Sequence, residues 1–103
     1  MNTNKELKGI CIPRVSTNIT KENIYNVFVS IFGKENIHDV QMIYKNMSYY
    51  IVFIYFTDYI YNWRETKTKI NPSYQTQLER LLQGEDIKVV YKFPWYWKCS
   101  LIR

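Results

Sequence analysis

Phe53 and Tyr55 stand two positions apart inside the run Tyr49-Tyr50-Ile51-Val52-Phe53-Ile54-Tyr55-Phe56. Side chains alternate along an extended chain, so these two rings share one side with Ile51, while Val52, Ile54 and Phe56 share the other. Aromatic rings held on one side of a strand can stack bases, and Arg14, Lys45, Lys88 and Lys92 are cations that can hold the phosphates between them. The same side, with Ile43 and Val90 as neighbours, is apolar enough to bury against another protein. Trp95, Tyr96 and Trp97 add aromatic surface near Lys98 and Arg103.

Catalytic chemistry finds little to work with. The single histidine, His38, precedes Asp39, and adjacent residues on a strand point to opposite faces, so the pair is no dyad. Gly9, Gly33 and Gly84 are isolated and make no phosphate loop, and the 9 carboxylates are scattered. No convergent acid, base and nucleophile set results, and the chain reads as a non-enzyme. Cys11 and Cys99 with His38 fall short of a four-ligand zinc site. They read as reduced thiols that approach each other only if the end of the chain crosses the first strand; no metal or cofactor is expected.

With 103 residues the chain reads as one domain over 1–103, with a polar segment 1–7 and an aromatic tail 93–103. Hydrophobic residues make up 47% and aromatics 17%, too much apolar area for a disordered chain. The formal charge of +5 permits an anionic partner without demanding one. No stretch has the roughly 18 uncharged apolar residues of a membrane span, and Met1 to Glu6 is polar rather than signal-like, so an intracellular protein with no membrane partner is expected.

The elements that must position the aromatic side follow from local chemistry. Lys8 to Val15 reads as a short first strand between Gly9 and Pro13. Thr20 can cap a helix, with Ile19 and Ile24 as a hydrophobic staple and Glu22 in the first turn; Ile24, Val27, Phe28 and Ile31 give its buried stripe and Gly33 its end. Ile37 to Tyr44 alternates, with Val40 and Met42 inward and Gln41 and Ile43 outward, and 45–48 is a turn into the central run. Residues 57–70 form a long connection carrying Tyr59, Tyr61, Trp63, Arg64, Lys67 and Lys69, a second basic and aromatic surface whose rings serve equally to pin it to the next helix. Asn71-Pro72 opens that helix, with Tyr74, Leu78, Leu81 and Leu82 on one stripe, and Ile87 to Tyr91 is the last strand.

Strand, helix, strand, strand, helix, strand is the order of an α+β, ferredoxin-like βαββαβ sandwich: a four-stranded antiparallel sheet with two helices on one face. Its other face, carrying Ile51, Phe53 and Tyr55, needs an occupant: bases, a protein, or the tail. The tail aromatics follow no single period. Pro94 breaks the last strand there, and the tail is expected to fold back over the open face; projecting past the edge, Trp95 and Trp97 would extend the stacking surface.

The order and the strand patterns resemble an RNA recognition motif (RRM) from about Lys8 to Tyr91. The six-residue motif of its first strand is matched by Ile10-Cys11-Ile12-Pro13-Arg14-Val15, and the aromatic end of its third-strand motif by Phe53-Ile54-Tyr55-Phe56. The resemblance implies bases over Cys11, Ile51 and Phe53, of which only Phe53 is aromatic, and a core of Ile10, Ile12, Val52, Ile54 and Phe56. Tyr49 and Tyr50 replace the basic residue and glycine of that third-strand motif. The chain also resembles small RRM-like proteins of nucleocytoplasmic large DNA (giant) viruses, through Leu81-Leu82-Gln83-Gly84, Ile87-Lys88-Val89-Val90-Tyr91 and Pro94-Trp95-Tyr96-Trp97-Lys98-Cys99. That implies a site in the host cytoplasm, viral factory or virion. Single-stranded RNA or DNA is the first partner expected; a homodimer or a viral protein partner, in an assembly role, is the alternative.

Overall fold

Helix α1 (Lys21–Phe32) begins where Thr20 turns from extended backbone and its hydroxyl accepts the Asn23 N–H at 3.1 Å. It ends at Gly33, whose φ of 92° is a left-handed conformation that a side chain would resist, and whose N–H closes the last turn on Val29 at 2.8 Å. The buried Asn36 Nδ2 then donates to the Phe32 carbonyl at 2.6 Å, satisfying an acceptor the helix end leaves free. Helix α2 (Pro72–Leu82) opens on Asn71, whose side chain accepts the Ser73 N–H at 2.9 Å. The computed structural model describes residues 8–58, 60 and 71–102; the expectations for Tyr59, Tyr61, Trp63, Arg64, Lys67, Lys69, Arg103 and the segment 1–7 lie outside them.

Among the described residues five strands accompany the helices: β1 (Gly9–Ser16), β2 (Ile37–Lys45), β3 (Tyr49–Phe56), β4 (Ile87–Lys92) and β5 (Trp95–Leu101). They form one antiparallel sheet in the order β2-β3-β1-β5-β4, giving an α+β fold. The expected four-stranded sheet is therefore corrected to five. The tail neither folds over the open face nor projects from the edge. It turns back at Phe93-Pro94 and enters the sheet as β5, taking the place beside β1 that the four-strand reading gives to Ile87–Tyr91. Its pairing with β1 is short, Ile10 with Leu101 and Cys11 with Ser100, whereas its pairing with β4 runs from Ile87 opposite Cys99 to Lys92 opposite Trp95.

Among the described residues one buried cluster joins both helices to one face of this sheet. Ile10, Ile12, Val52, Ile54, Val89 and Cys99 meet Ile24 and Phe28 of α1 and Leu78 and Leu81 of α2, all without exposed surface. A bulge between Ile12 and Val15 resets the alternation of β1, keeping Val15 inward and leaving Pro13 and Arg14 outside. The β2–β3 turn uses left-handed Asn46 and Met47, the paired conformation that suits the twist of a hairpin. Both sheet edges are blunted: Asp39 Oδ1 accepts the Val40 N–H at 2.8 Å on β2, and the Tyr74 hydroxyl of α2 accepts the Val90 N–H at 3.2 Å on β4.

Candidate nucleic-acid interface

Strand alternation sends every second residue away from the helices, and β3 contributes Ile51, Phe53 and Tyr55, each half-buried. The Phe53 and Tyr55 rings are stacked, with centroids 6.4 Å apart and planes 24° apart. Tyr55 is pinned by its hydroxyl, which donates to Gln41 Oε1 at 3.0 Å. In register, Phe53 lies opposite Gln41 on one side and Cys11 on the other, and Cys11 in turn opposite Ser100. The row across the middle of the sheet is thus an aromatic flanked by small or polar side chains. Ile43, 38% exposed, and Ile51 pair directly in the neighbouring row, so the platform has an aliphatic side as well.

Cations gather at two places around these rings. At one end Lys45 pairs in register with Tyr49, and the Arg14 guanidinium lies 4.2 Å from the centre of the Tyr49 ring, which keeps the cation over the open face. Toward β4 and β5, Lys88 and Lys98 stand directly opposite each other on that same face. Like charges so placed repel. Lys98 is partly offset by Asp86 at 3.5 Å, and the Lys88 ammonium lies 4.9 Å from the centre of the Tyr96 ring. Among the described residues Arg14, Lys45 and Lys88 have no carboxylate partner. Asp39 lies 3.7 Å from Lys21, and His38 beside it is exposed where the register of β2 shifts between Ile37 and Asp39.

Cys11 sits half-buried in the middle of the platform, where burial raises its thiol above the ordinary value and keeps it neutral at physiological pH. Cys99, one register step away, points into the core; burial foremost, then the charges of Cys11 and Asp86, push its thiol far up. Both are free thiols. Among the described residues no group of three His, Cys, Asp or Glu side chains could hold a metal ion, and no helix is long and apolar enough to cross a membrane.

Of the residues the sequence assigns to binding, the structure brings Phe53, Tyr55, Ile51, Arg14, Lys45 and Lys88 onto one surface. Trp97 is corrected out of it. At 4% exposure it is buried, stacked on Phe28 at 6.1 Å and on Tyr91 at 4.2 Å, with no face left for a base on the open side. Trp95, 63% exposed, and Lys92 lie at the β4–β5 turn, beside rather than on the platform. Sequence reasoning left Tyr49 out of the site and joined Tyr96 and Lys98 to it only through a projecting tail; the polar and apolar alternation Lys98-Cys99-Ser100-Leu101 is the signal that places Lys98 outward. Comparison with known proteins brings no match: no family model, no curated protein and no solved structure is significantly similar to the chain.

Proposed function

We propose that this chain is a non-enzymatic, RRM-like module that binds single-stranded nucleic acid, RNA first, across the open face of its sheet. The observation that carries the reading is the Phe53–Tyr55 stack beside Arg14, Lys45 and Lys88, which among the described residues have no carboxylate partner, with Lys88 held opposite Lys98, whose charge Asp86 offsets only in part. A phosphate lying between those two lysines relieves their repulsion, and bases laid on the rings gain about 1 to 3 kcal/mol each from stacking. The sheet order supports it as well: β1 and β3 lie side by side, as the RRM-type motifs of the sequence require, while β5 stands between β1 and β4, a departure from the four-stranded ferredoxin-like sheet. Arg14, Lys45, Lys88 and Lys98 then track the backbone, and Cys11 and Gln41 border the stacked bases.

Fluorescence anisotropy with single-stranded RNA and DNA oligonucleotides over a salt series tests this reading. Log affinity falls with log salt by about 0.7 per neutralised phosphate, so a contact set of a few cations gives a slope of roughly 2 to 3. A flat salt response contradicts it.

A second reading rests on Ile43 and Val90, 38% and 46% exposed on the same face as Ile51 and Phe53. In it, the face buries against a second copy or another protein in an assembly. Light scattering at several concentrations distinguishes the homodimer, which Phe53→Asp dissociates.

A further inference from the structure

On the helix side of the sheet, α1 and the end of the β4–β5 hairpin enclose a groove of about 480 Å³. It is within the range of roughly 300 to 1,000 Å³ in which small ligands are held. Asn23 and Asn26 line it from α1, three positions apart and so on one side of the helix. Tyr91 and Trp97 line it from the hairpin, their rings stacked 12° from parallel, and Lys92 adds an exposed ammonium. Among the described residues neither carboxamide makes a side-chain hydrogen bond, and Lys92 has no carboxylate partner.

We infer that this groove is a nucleotide site, accepting one unpaired base against the half-buried Tyr91 ring, which Trp97 backs from the core, with its edge on Asn23 and Asn26 and its 5′-phosphate at Lys92. The chemistry selects this occupant. An apolar peptide would bury two carboxamides and an ammonium without partners, whereas a nucleotide brings a flat ring, an edge of donors and acceptors, and a negative charge. A carboxamide pairs in two-point fashion with the N6 and N7 edge of adenine, so an adenine nucleotide fits best. The site lies on the layer opposite the open face and goes beyond the function proposed for it. The nucleotide comes either from the free pool or from the end of a strand that rounds the exposed Phe93 and Trp95, 88% and 63% accessible at the hairpin turn.

The test is an NMR titration of the full chain, following the side-chain amides of Asn23 and Asn26 and the backbone amide of Lys92. The probes are AMP, CMP, adenosine, and an oligonucleotide with or without a 5′-phosphate. AMP is expected to move these resonances saturably and more tightly than CMP or adenosine. Asn26→Ala and Lys92→Ala each weaken it by about fivefold or more, and both sites are exposed, so the thermal melt stays unchanged. Shifts with AMP assign the free pool, and shifts only with the phosphorylated oligonucleotide assign a strand end. If no probe moves these resonances, or a variant combining Asn26→Ala with Lys92→Ala responds as the parent does, the site does not exist. Phe53→Ala leaves AMP binding intact, so failure of the open face and failure of the groove are read separately.

Discussion

Trp97 of β5 and Phe28 of α1 lie nearly parallel, their ring planes 6° apart and their centroids 6.1 Å apart. With Tyr91 stacked on Trp97, this sandwich ties the end of the chain to the first helix and makes the tail part of the core rather than a cover for the open face. Burying a large aromatic side chain accounts for several kcal/mol of a domain's stability, and its removal leaves a cavity that the fold only partly closes. Trp97→Ala is therefore expected to lower the free energy of unfolding by about 3 to 5 kcal/mol. Urea denaturation measures it; a loss under about 1 kcal/mol, the size of a change at an unpacked surface site, contradicts the placement.

Gly9 opens β1 where the backbone of β3 and Ile102 close around it. A Cβ there would collide with the Ile54 carbonyl and come within 3.0 Å of Ile102 Cδ1. Backbone on the β3 side cannot step aside as a flexible side chain could. Gly9→Ala is expected to destabilise by about 1 to 3 kcal/mol despite the usual advantage of alanine in the unfolded chain, and a neutral or stabilising outcome in the same denaturation assay contradicts it.

The buried Cys99 thiol gives a pH dependence of definite sign. Its pKa in the folded protein is raised above the ordinary thiol value of 9.0, so the folded state holds the proton that the unfolded state releases. The associated stability is fully present below that value and is lost as pH rises above it, at about 1.4 kcal/mol per unit. Against Cys99→Ala, which removes this titration, the parent is expected to keep a constant stability difference below pH 9.0 and to lose ground steadily above it. A difference that stays constant on both sides contradicts the burial of that thiol.

Much of this architecture is legible in single residues. Ile19, Thr20 and Ile24 announce the start of α1, Gly33 its end, and the alternation of Val52, Ile54 and Phe56 with Ile51, Phe53 and Tyr55 defines both faces of β3. The tail is not legible in the same way. In Trp95-Tyr96-Trp97 every side chain is a large ring, so no apolar and polar alternation remains to mark a strand, although the three are 63%, 49% and 4% exposed. Amphipathic rings accept either environment, and only packing against Phe28 decides. The Lys88–Lys98 opposition is likewise hidden, because it depends on the register of β4 against β5, and a slip of one residue would send Lys98 to the other face.

We propose that the open face of the sheet holds single-stranded nucleic acid on Phe53. It is tested most directly by titrating one fluorescent single-stranded RNA with the parent protein and with Phe53→Ala, a half-buried position outside the helix-side core. Loss of about 1 to 3 kcal/mol of binding, roughly 5- to 150-fold in affinity, with an unchanged thermal melt, is the expected result. Equal affinity of the two proteins, or no binding by either, contradicts it.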